Sequence, residues 1–342
     1  MNYNDYKREF TEKALRSGFS YEVLQACLQY AEKLFSNDLP VIFNLTHFAS
    51  LVGYKQTYIQ RAIVFTHHFY RKFEISKANG SQRKISEPLP SLKEIQGWIL
   101  KHILYKLKVS RFAKAYSPGI SIKQNLQYHR DQPLVLSIDV KDFFTSLTRD
   151  KVEQVFKMAG YSSSLSNLFS KICTLDGRLP QGASTSPYLS NLILYKFDEE
   201  IGSFCKQQSI RYTRYADDIT ISGNFDPDLL RQKVQIELDK LSLVVNEKKV
   251  KVMKAGVRQV VTGVVVNKKI QVPRNKRKEI RQAIYYITKF GLQGHLSRES
   301  VNRRNYINHL LGQVSFVLFL NPLDKEFIGY KDFLVMQKQQ DS

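Results

Sequence analysis

Apolar and polar residues alternate with the period of an α-helix in two parts of the first third of the chain. Apolar side chains recur three and four residues apart at Leu24, Cys27, Leu28, Ala31 and Leu34. This spacing predicts helices between residues 21 and 65. The pattern recurs at Leu92, Ile95, Ile99, Ile103 and Leu107. It predicts one long amphipathic helix there.

The segment from Leu45 to Ile63 holds a short helical pattern, a break at Gly53 and a second helical pattern. Such a pair is a candidate helix-turn-helix for DNA binding, but a helical hairpin packed on its neighbours is commoner. The hairpin is the preferred interpretation, and a DNA-binding regulator is kept as an alternative.

Short apolar runs bounded by turn residues predict strands in the first half of the chain. Residues 69–88 contain two strands joined by a polar turn around Gly80. Residues 133–139, PLVLSID, form an apolar strand that ends on Asp139. A loop of small residues, 179–187, then opens a further helix.

Two hairpins and a helical tail are predicted in the second half. Residues 212–222, YTRYADDITIS, read as a hairpin with two acids at its turn, and residues 243–246 as a single strand. Residues 259–272 predict a second hairpin with Asn267 at its turn. Residues 275–319 read as basic helices.

The adjacent acids Asp217 and Asp218 are the first chemical signal. Asp is depleted in strands, and neighbouring like charges repel, so a solvated turn is the ordinary explanation. Here the pair lies between apolar strands, and Asp139 ends another strand upstream. Carboxylates suit hard divalent cations, and two Mg²⁺ ions about 3.5–4 Å apart can hold the attacking and leaving oxygens of a phosphoryl transfer. The three acids therefore predict a site for two Mg²⁺ ions.

The charge balance points to a polyanionic partner. The chain has 52 Lys and Arg against 31 Asp and Glu, a net charge of +21, which favours nucleic acid over an anionic membrane surface. No apolar run approaches the roughly 20 residues that a membrane span needs. Cys27, Cys173 and Cys205 form neither a disulfide framework nor a zinc pattern. With no signal-peptide core at the N-terminus, a cytoplasmic location is expected.

Three motifs in this order resemble motifs A, B and C of reverse transcriptases: LSIDVKDFF from Leu136, LPQGASTSP from Leu179, and RYADD from Arg214. Further elements resemble those of bacterial retron reverse transcriptases. NLQYH of this chain resembles the NAxxH element of that family, and VTG of this chain is the same as the family's VTG element. Their residues are Asn125, His129, Val261, Thr262 and Gly263. Leu126 stands where NAxxH has Ala. By chemistry alone, Asn125 and His129 are expected to be a structural hydrogen-bonding pair.

The resemblance implies an α+β right-hand polymerase with fingers, an antiparallel palm sheet and a helical thumb. The implied divisions are a helical N-terminal extension (1–65), fingers with the start of the palm (66–135), the palm (136–265), and a thumb and C-terminal RNA-binding region (266–342).

The resemblance also implies roles for single residues. Asp139 and Asp217 would bridge the metals, Asp218 would support them, and the backbone carbonyl of Val140 would be a further ligand. The residues implied at the incoming dNTP are Arg83 with Lys77 at the triphosphate, Phe144 as a steric gate against ribonucleotides, Gln181, Gly182, and Lys248 or Lys249 as general acid. Basic residues implied along the template–primer are Lys268, Lys269, Arg274, Lys276, Arg277, Lys278 and Arg281. Of Tyr285, Tyr286 and Phe290, at least two are expected in the core of the thumb.

The function implied by the resemblance is that of an RNA-directed DNA polymerase of a retron. It would copy a cognate non-coding RNA into branched multicopy single-stranded DNA, primed from a 2′-hydroxyl, in antiphage defence with a toxic effector protein. Two alternatives are another defence-associated reverse transcriptase with different priming, and a non-catalytic RNA-binding scaffold.

Overall fold

A computed structural model describes residues 2–76, 80, 82–298 and 305–340. The helices are α1 Tyr3–Arg16, α2 Tyr21–Ser36, α3 Leu45–Val52, α4 Gln56–Val64, α5 Pro90–His102, α6 Ile122–Tyr128, α7 Phe143–Ser146, α8 Arg149–Ala159, α9 Ser163–Cys173, α10 Ser186–Ile193, α11 Tyr195–Gln207, α12 Pro227–Asp239, α13 Arg274–Arg298, α14 Tyr306–Leu320 and α15 Lys325–Gln340. The strands are β1 Tyr70–Ser76, β2 Gln82–Pro88, β3 Leu134–Asp139, β4 Arg211–Tyr215, β5 Asp218–Gly223, β6 Lys251–Lys254, β7 Val260–Val261 and β8 Val264–Val265.

Helices and antiparallel strands together confirm the α+β class. The chain divides into two compact units, the first made of residues 1–119, 140–203 and 232–246, and the second of residues 120–139, 204–231 and 247–342. Among the helices described, none combines the length and the apolar character that crossing a membrane requires.

The first unit contains the N-terminal helices and the β1–β2 hairpin. Asn44 caps α3 by accepting a hydrogen bond from the His47 amide, and Gly53 ends the helix in the left-handed conformation. Phe48 of α3 is fully buried and packs edge-on against Trp98 and Phe169. This packing supports the interpretation of α3 and α4 as a helical hairpin packed on its neighbours, because α3 is anchored in the core of the first unit.

The second unit is built on an antiparallel sheet in the order β4-β5-β3-β6. In the inner strand β3, Val135, Leu136 and Ile138 are fully buried. On one face, Val135 and Met253 join an apolar cluster formed with α13, α14, α15 and the β7–β8 hairpin. We call this cluster the C-terminal core. It fixes the sheet that carries the predicted acids.

Three sequence predictions of secondary structure are wrong in detail. The helix expected to reach Leu107 ends at His102, and a tighter turn of 3₁₀ helix follows that keeps Leu104 buried. The strand expected at 243–246 is reduced to one backbone bridge, between Val245 and Val140.

The turn of the second hairpin is also misplaced. It lies at Thr262 and Gly263, whose φ angles of 44° and 82° suit the tight turn that joins twisted strands. Asn267 instead holds the neighbouring chain: its side-chain amide donates to the carbonyl of Val257 at 2.9 Å and accepts from the amide of Gln259 at 2.9 Å.

Candidate active site

The acids predicted from the sequence lie on neighbouring strands of the second unit. We call β4, β5 and their connecting turn the acidic hairpin; Ala216 in that turn has a φ of 59°. Asp218 pairs with Tyr215 across the hairpin and with Asp139 across β3. Residues directly opposite in a sheet point to the same face, so Asp139 and Asp218 are close neighbours on one surface.

The local electrostatics disfavour charge on Asp218. Burial, reinforced by the charges of Asp217 and Asp139, raises the pKa of Asp218 to about 6. Lys249 and Lys251 act in the opposite direction but do not cancel the effect. An added cation beside Asp218 would favour the ionised form of this carboxyl.

Lys249 already supplies one cation to this cluster. Its ammonium nitrogen lies 2.8 Å from Oδ2 of the largely buried Asp139. This hydrogen bond is the main cause that raises the pKa of Lys249. The sequence left Lys248 and Lys249 as alternative partners of the site, and the structure brings Lys249 to Asp139.

The three acids are suitable ligands for Mg²⁺, although they do not form a preformed coordination site. In the described part of the chain, no three His, Cys, Asp or Glu side chains converge as a preformed metal cluster. Mg²⁺ at phosphoryl-transfer sites is held by one or two carboxylates, waters and substrate phosphates, so a cage is not required. Val140, the proposed backbone ligand, follows Asp139 directly and is 1% exposed.

The motif B loop of the first unit lies against β2. The Ser86 amide donates to the carbonyl of Gln181 at 2.8 Å. Gly182 has a φ of 129°, and a Cβ there would lie 2.7 Å from the carbonyl oxygen of Ser86. A side chain at Gly182 would therefore push the loop off the strand, which explains why glycine is needed.

The predicted nucleotide contacts Phe144 and Arg83 are also in the first unit. Phe143 is buried, whereas Phe144 is only half-buried and its ring lies 6.4 Å from that of Tyr116. The expectation that Phe143 is the core member is confirmed, although both residues lie on α7 and not on a strand. Arg83 is exposed on β2, and Lys77 lies outside the described residues.

Asn125 and His129 are joined through a third residue of the second unit. The hydroxyl of Thr213 donates to Oδ1 of Asn125 at 2.6 Å. His129 contacts the same hydroxyl through Nε2 at 2.7 Å and the Ser222 hydroxyl through Nδ1 at 2.7 Å. The structural role expected for this pair is confirmed, with the bonds running to the strands of the acidic hairpin.

Arg214 is a functional candidate that the sequence interpretation missed. It was read only as a strand residue, yet it is fully buried in β4. Its guanidinium donates to the carbonyl of Ala216 at 2.9 Å and so holds the turn that carries Asp217. The available signal was an arginine on a predicted strand, three residues before the first acid.

The predicted template–primer residues fall into two groups. Five of them are exposed on the second unit: Lys268, Lys269, Arg274, Lys276 and Lys278. The other two are committed to ion pairs with α15. Arg277 lies 2.6 Å from Asp324, and Arg281 lies 2.7 Å from Glu326. These ion pairs give Arg277 and Arg281 a structural role in this fold, and nucleic-acid binding by them stays a prediction.

The aromatic residues of α13 differ from expectation. Tyr285 and Phe290 are 55% and 43% exposed, so at least two of the three aromatic residues do not pack in the core. Lys289 lies over both rings, 5.7 Å and 5.4 Å from their centroids.

Comparison with known families agrees with this site. The family model described as "Reverse transcriptase (RNA-dependent DNA polymerase)" matches residues 75–284, more than half of the chain. That range includes the three acids and the motif B loop. A telomerase structure from Candida albicans aligns over 78% of this chain and 58% of that chain, at 11% identity and a TM-score of 0.45.

The curated relatives narrow the family. The Retron Ec86 reverse transcriptase of Escherichia coli is 34% identical over 286 residues, covering 82% of this chain and 85% of that protein. The Retron Mx162 reverse transcriptase of Myxococcus xanthus is 30% identical, covering 74% of this chain and 58% of that protein. The Retron Ec83 reverse transcriptase of Escherichia coli is 30% identical over 74% of this chain and 83% of that protein. The chain belongs to the retron-type reverse transcriptases, which are RNA-directed DNA polymerases.

Proposed function

We propose that this enzyme copies a cognate structured non-coding RNA into branched multicopy single-stranded DNA, starting from a 2′-hydroxyl of that RNA. The observation that carries the proposal is the likeness to retron enzymes over most of the chain, including one at 34% identity. Its biological role would be antiphage defence together with a toxic effector protein. The retron elements at Asn125, His129 and residues 261–263 support the same family.

We infer that Asp139, Asp217 and Asp218 hold two Mg²⁺ ions, with the carbonyl of Val140 as a further ligand. Bound there, the two ions would stabilise the attacking oxygen and the leaving pyrophosphate of nucleotide transfer. The buried position of Asp139 and the raised pKa of Asp218 support an added cation.

Lys249 is the proposed proton donor to the leaving pyrophosphate. Its ammonium group faces the acids in this structure, and the ion pair with Asp139 keeps it protonated. General acids of this kind typically contribute about 10²–10⁴-fold in rate. Lys248, the other candidate from the sequence, is its immediate neighbour and gives a matched test position.

Residues of the first unit would bind the incoming dNTP. Arg83 would hold the triphosphate, because a guanidinium binds phosphate oxygens in a fork. Phe144 would exclude the 2′-hydroxyl of ribonucleotides, and Gln181 with Gly182 would line the sugar and base. In this proposal the fingers, palm and thumb follow the divisions at residues 65, 135 and 265.

The five exposed basic residues would contact the phosphates of the template–primer in the thumb. The acids Asp324 and Glu326 form their ion pairs with Arg277 and Arg281, and the five exposed residues lie outside that cluster. Lys276 has one exposed acidic neighbour, Glu279, at 2.6 Å. Exposed pairs of this kind are weak, so nucleic acid can compete for the lysine.

Sequencing the RNA and DNA that copurify with the full chain tests the retron proposal. A DNA strand joined to an internal nucleotide by a 2′,5′ linkage supports it. DNA that is linear or joined to protein supports a differently primed defence reverse transcriptase. The non-catalytic scaffold predicts that changing Asp217 and Asp218 together to Ala leaves the biological activity intact.

A further inference from the structure

Helix α6 lies between the acidic hairpin and the C-terminal core and contacts both. Ser121 and Gln124 close its first turn in a capping box, so its start is fixed. Residues four apart share a helix face, which gives α6 two buried stripes side by side. One stripe is polar, Asn125 and His129, and the other is apolar, Ile122 and Leu126.

The polar stripe bonds to both strands of the acidic hairpin. Thr213 lies on β4 and Ser222 on β5, and all four hydrogen-bonded side chains are fully buried. Since the single hydroxyl proton of Thr213 goes to Asn125, its oxygen accepts from His129. This places a proton on Nε2 of His129, and Nδ1 lies 2.7 Å from the Ser222 hydroxyl.

The apolar stripe belongs to the C-terminal core. Leu126 is fully buried in that core together with Val261 and Val264 of the β7–β8 hairpin, and Ile122 packs against it. The leucine is also the residue that departs from the NAxxH element, so this chain has a larger apolar contact at that point.

Polar contacts reinforce the same side of α6. The Lys123 ammonium donates to the carbonyl of Phe319, at the end of α14, at 3.0 Å. The Asp131 amide, just after α6, donates to the carbonyl of Val266 at 3.0 Å. Helix α6 thus contacts the C-terminal core on one side and the strands β4 and β5 on the other. A displacement of the C-terminal core would therefore also displace these strands.

We propose that α6 couples the C-terminal core to the acidic hairpin, with His129 and Thr213 as positioning residues for the catalytic acids. When the C-terminal region engages a template–primer, α6 holds β4 and β5 in register and so sets the separation of Asp217 and Asp139. The inference rests on the proposed roles of these acids.

The decisive variant is Thr213→Val, which keeps the shape of the side chain and removes the hydroxyl that joins His129 to Asn125. The full chain is assayed on a synthetic RNA template with an annealed DNA primer. The measured quantities are the single-turnover rate per titrated active site, the Mg²⁺ concentration for half-maximal rate, the Kd for template–primer, and the Tm.

We expect the rate per active site to fall about tenfold to 100-fold, as for a small misplacement of reacting groups. The Mg²⁺ requirement should rise, while the Kd for template–primer stays within about twofold. Thr213→Ser should restore the parent values because it keeps the hydroxyl. Gln127→Ala, on the exposed face of α6, is the matched control and should change nothing.

Coupling through one helix predicts that the two stripes do not act independently. Leu126→Ala should also lower the rate, and the double variant with Thr213→Val should lose less than the product of the two single losses. Folded Thr213→Val with the parent's rate and Mg²⁺ requirement overturns the inference, and so do strictly multiplicative losses.

Asp139→Asn, measured in parallel, separates the inference from the proposed site. If Asp139→Asn is inactive and Thr213→Val is unaffected, only the coupling through α6 is wrong. If Asp139→Asn extends primers normally, the proposed catalytic site itself is wrong.

Discussion

The acidic hairpin and the contact between α13 and α15 use the same kinds of residue in opposite ways. At α15, the hydrogen bonds from Arg281 are the main cause that lowers the pKa of Glu326. At the hairpin, burial and neighbouring acids raise the pKa of Asp218 to about 6. Arginine partners thus favour the ionised form of Glu326, whereas burial and neighbouring acids disfavour the ionised form of Asp218.

Within the second unit, the ion pairs between α13 and α15 stabilise the fold, whereas the acidic hairpin is the candidate site. Arg277 also lies over the ring of Phe327, 4.3 Å from its centroid, so the matched cluster is packed as part of the fold. Beside the hairpin, Lys249 pairs with Asp139, and that lysine is 59% exposed along its side chain. An exposed lysine can leave a carboxylate more easily than a packed arginine can, which suits a site that must admit Mg²⁺.

The largest expected effect comes from removing a hairpin carboxylate. Asp217→Asn keeps the side-chain shape and removes a charge that raises the pKa of Asp218. We expect primer extension to fall about a thousandfold, the order found when charge stabilisation is removed from a transition state. The Tm in EDTA should rise. Asp228→Asn, in the exposed first turn of α12, is the control and should change neither.

The second prediction concerns pH. The folded pKa of Asp218 is about 6, against an ordinary value of 3.8. Because the folded pKa is the higher one, this carboxyl stabilises the fold below about pH 4 and loses that contribution as pH rises through about 6. Relative to Asp218→Asn, the metal-free parent should lose up to about 3 kcal/mol between pH 4 and pH 7.

Chemical denaturation of both proteins in EDTA across this pH range measures the difference. A constant gap between the parent and Asp218→Asn would contradict a raised pKa for Asp218 in the folded protein. Adding Mg²⁺ should narrow the gap at pH 7, since the ion favours the ionised carboxylate.

A smaller effect is expected where the charges are matched. Glu326→Gln removes the ion pairs with Arg281 and Arg277. Both Arg281 and Glu326 are partly exposed, so the loss should be about 1 kcal/mol, seen as a lower Tm with nearly unchanged primer extension. Glu279→Gln, which breaks only the exposed pair with Lys276, should cost less.

The smallest effect is expected for the salt dependence of RNA binding, which distinguishes the exposed lysines from the paired Arg277. Changing Lys268 and Lys269 to Ala should reduce the slope of log K against log salt for RNA binding by about 0.7–0.9 per lost phosphate contact. Arg277→Gln should leave the slope unchanged, because Asp324 and Glu326 already match that charge. A reduced slope for Arg277→Gln alone would reverse the assignment of the two groups.

The sequence was sufficient for features that are local. Apolar runs ending on acids predicted β3 and the acidic hairpin. The prediction of one helix up to Leu107 was wrong because a buried 3₁₀ turn satisfies the same apolar spacing.

Features that depend on distant partners could not be predicted. Arg277 and Asp324 are 47 residues apart, and no local pattern shows that they pair. The choice of Lys249 over Lys248 depends on Asp139, which is 110 residues away. The role of Asn125 and His129 likewise depends on Thr213 and Ser222, whose hydroxyls look ordinary in a strand.

The central claim is that Asp139, Asp217 and Asp218 receive the metals of nucleotide transfer. A crystal of the full chain with template–primer, a non-hydrolysable dNTP analogue and Mn²⁺, measured at the manganese absorption edge, tests it most directly. The account predicts anomalous peaks at the carboxylates of Asp139 and Asp217, with Lys249 moved off Asp139. A bound nucleotide with no peak at these carboxylates, and Lys249 still on Asp139, would contradict it.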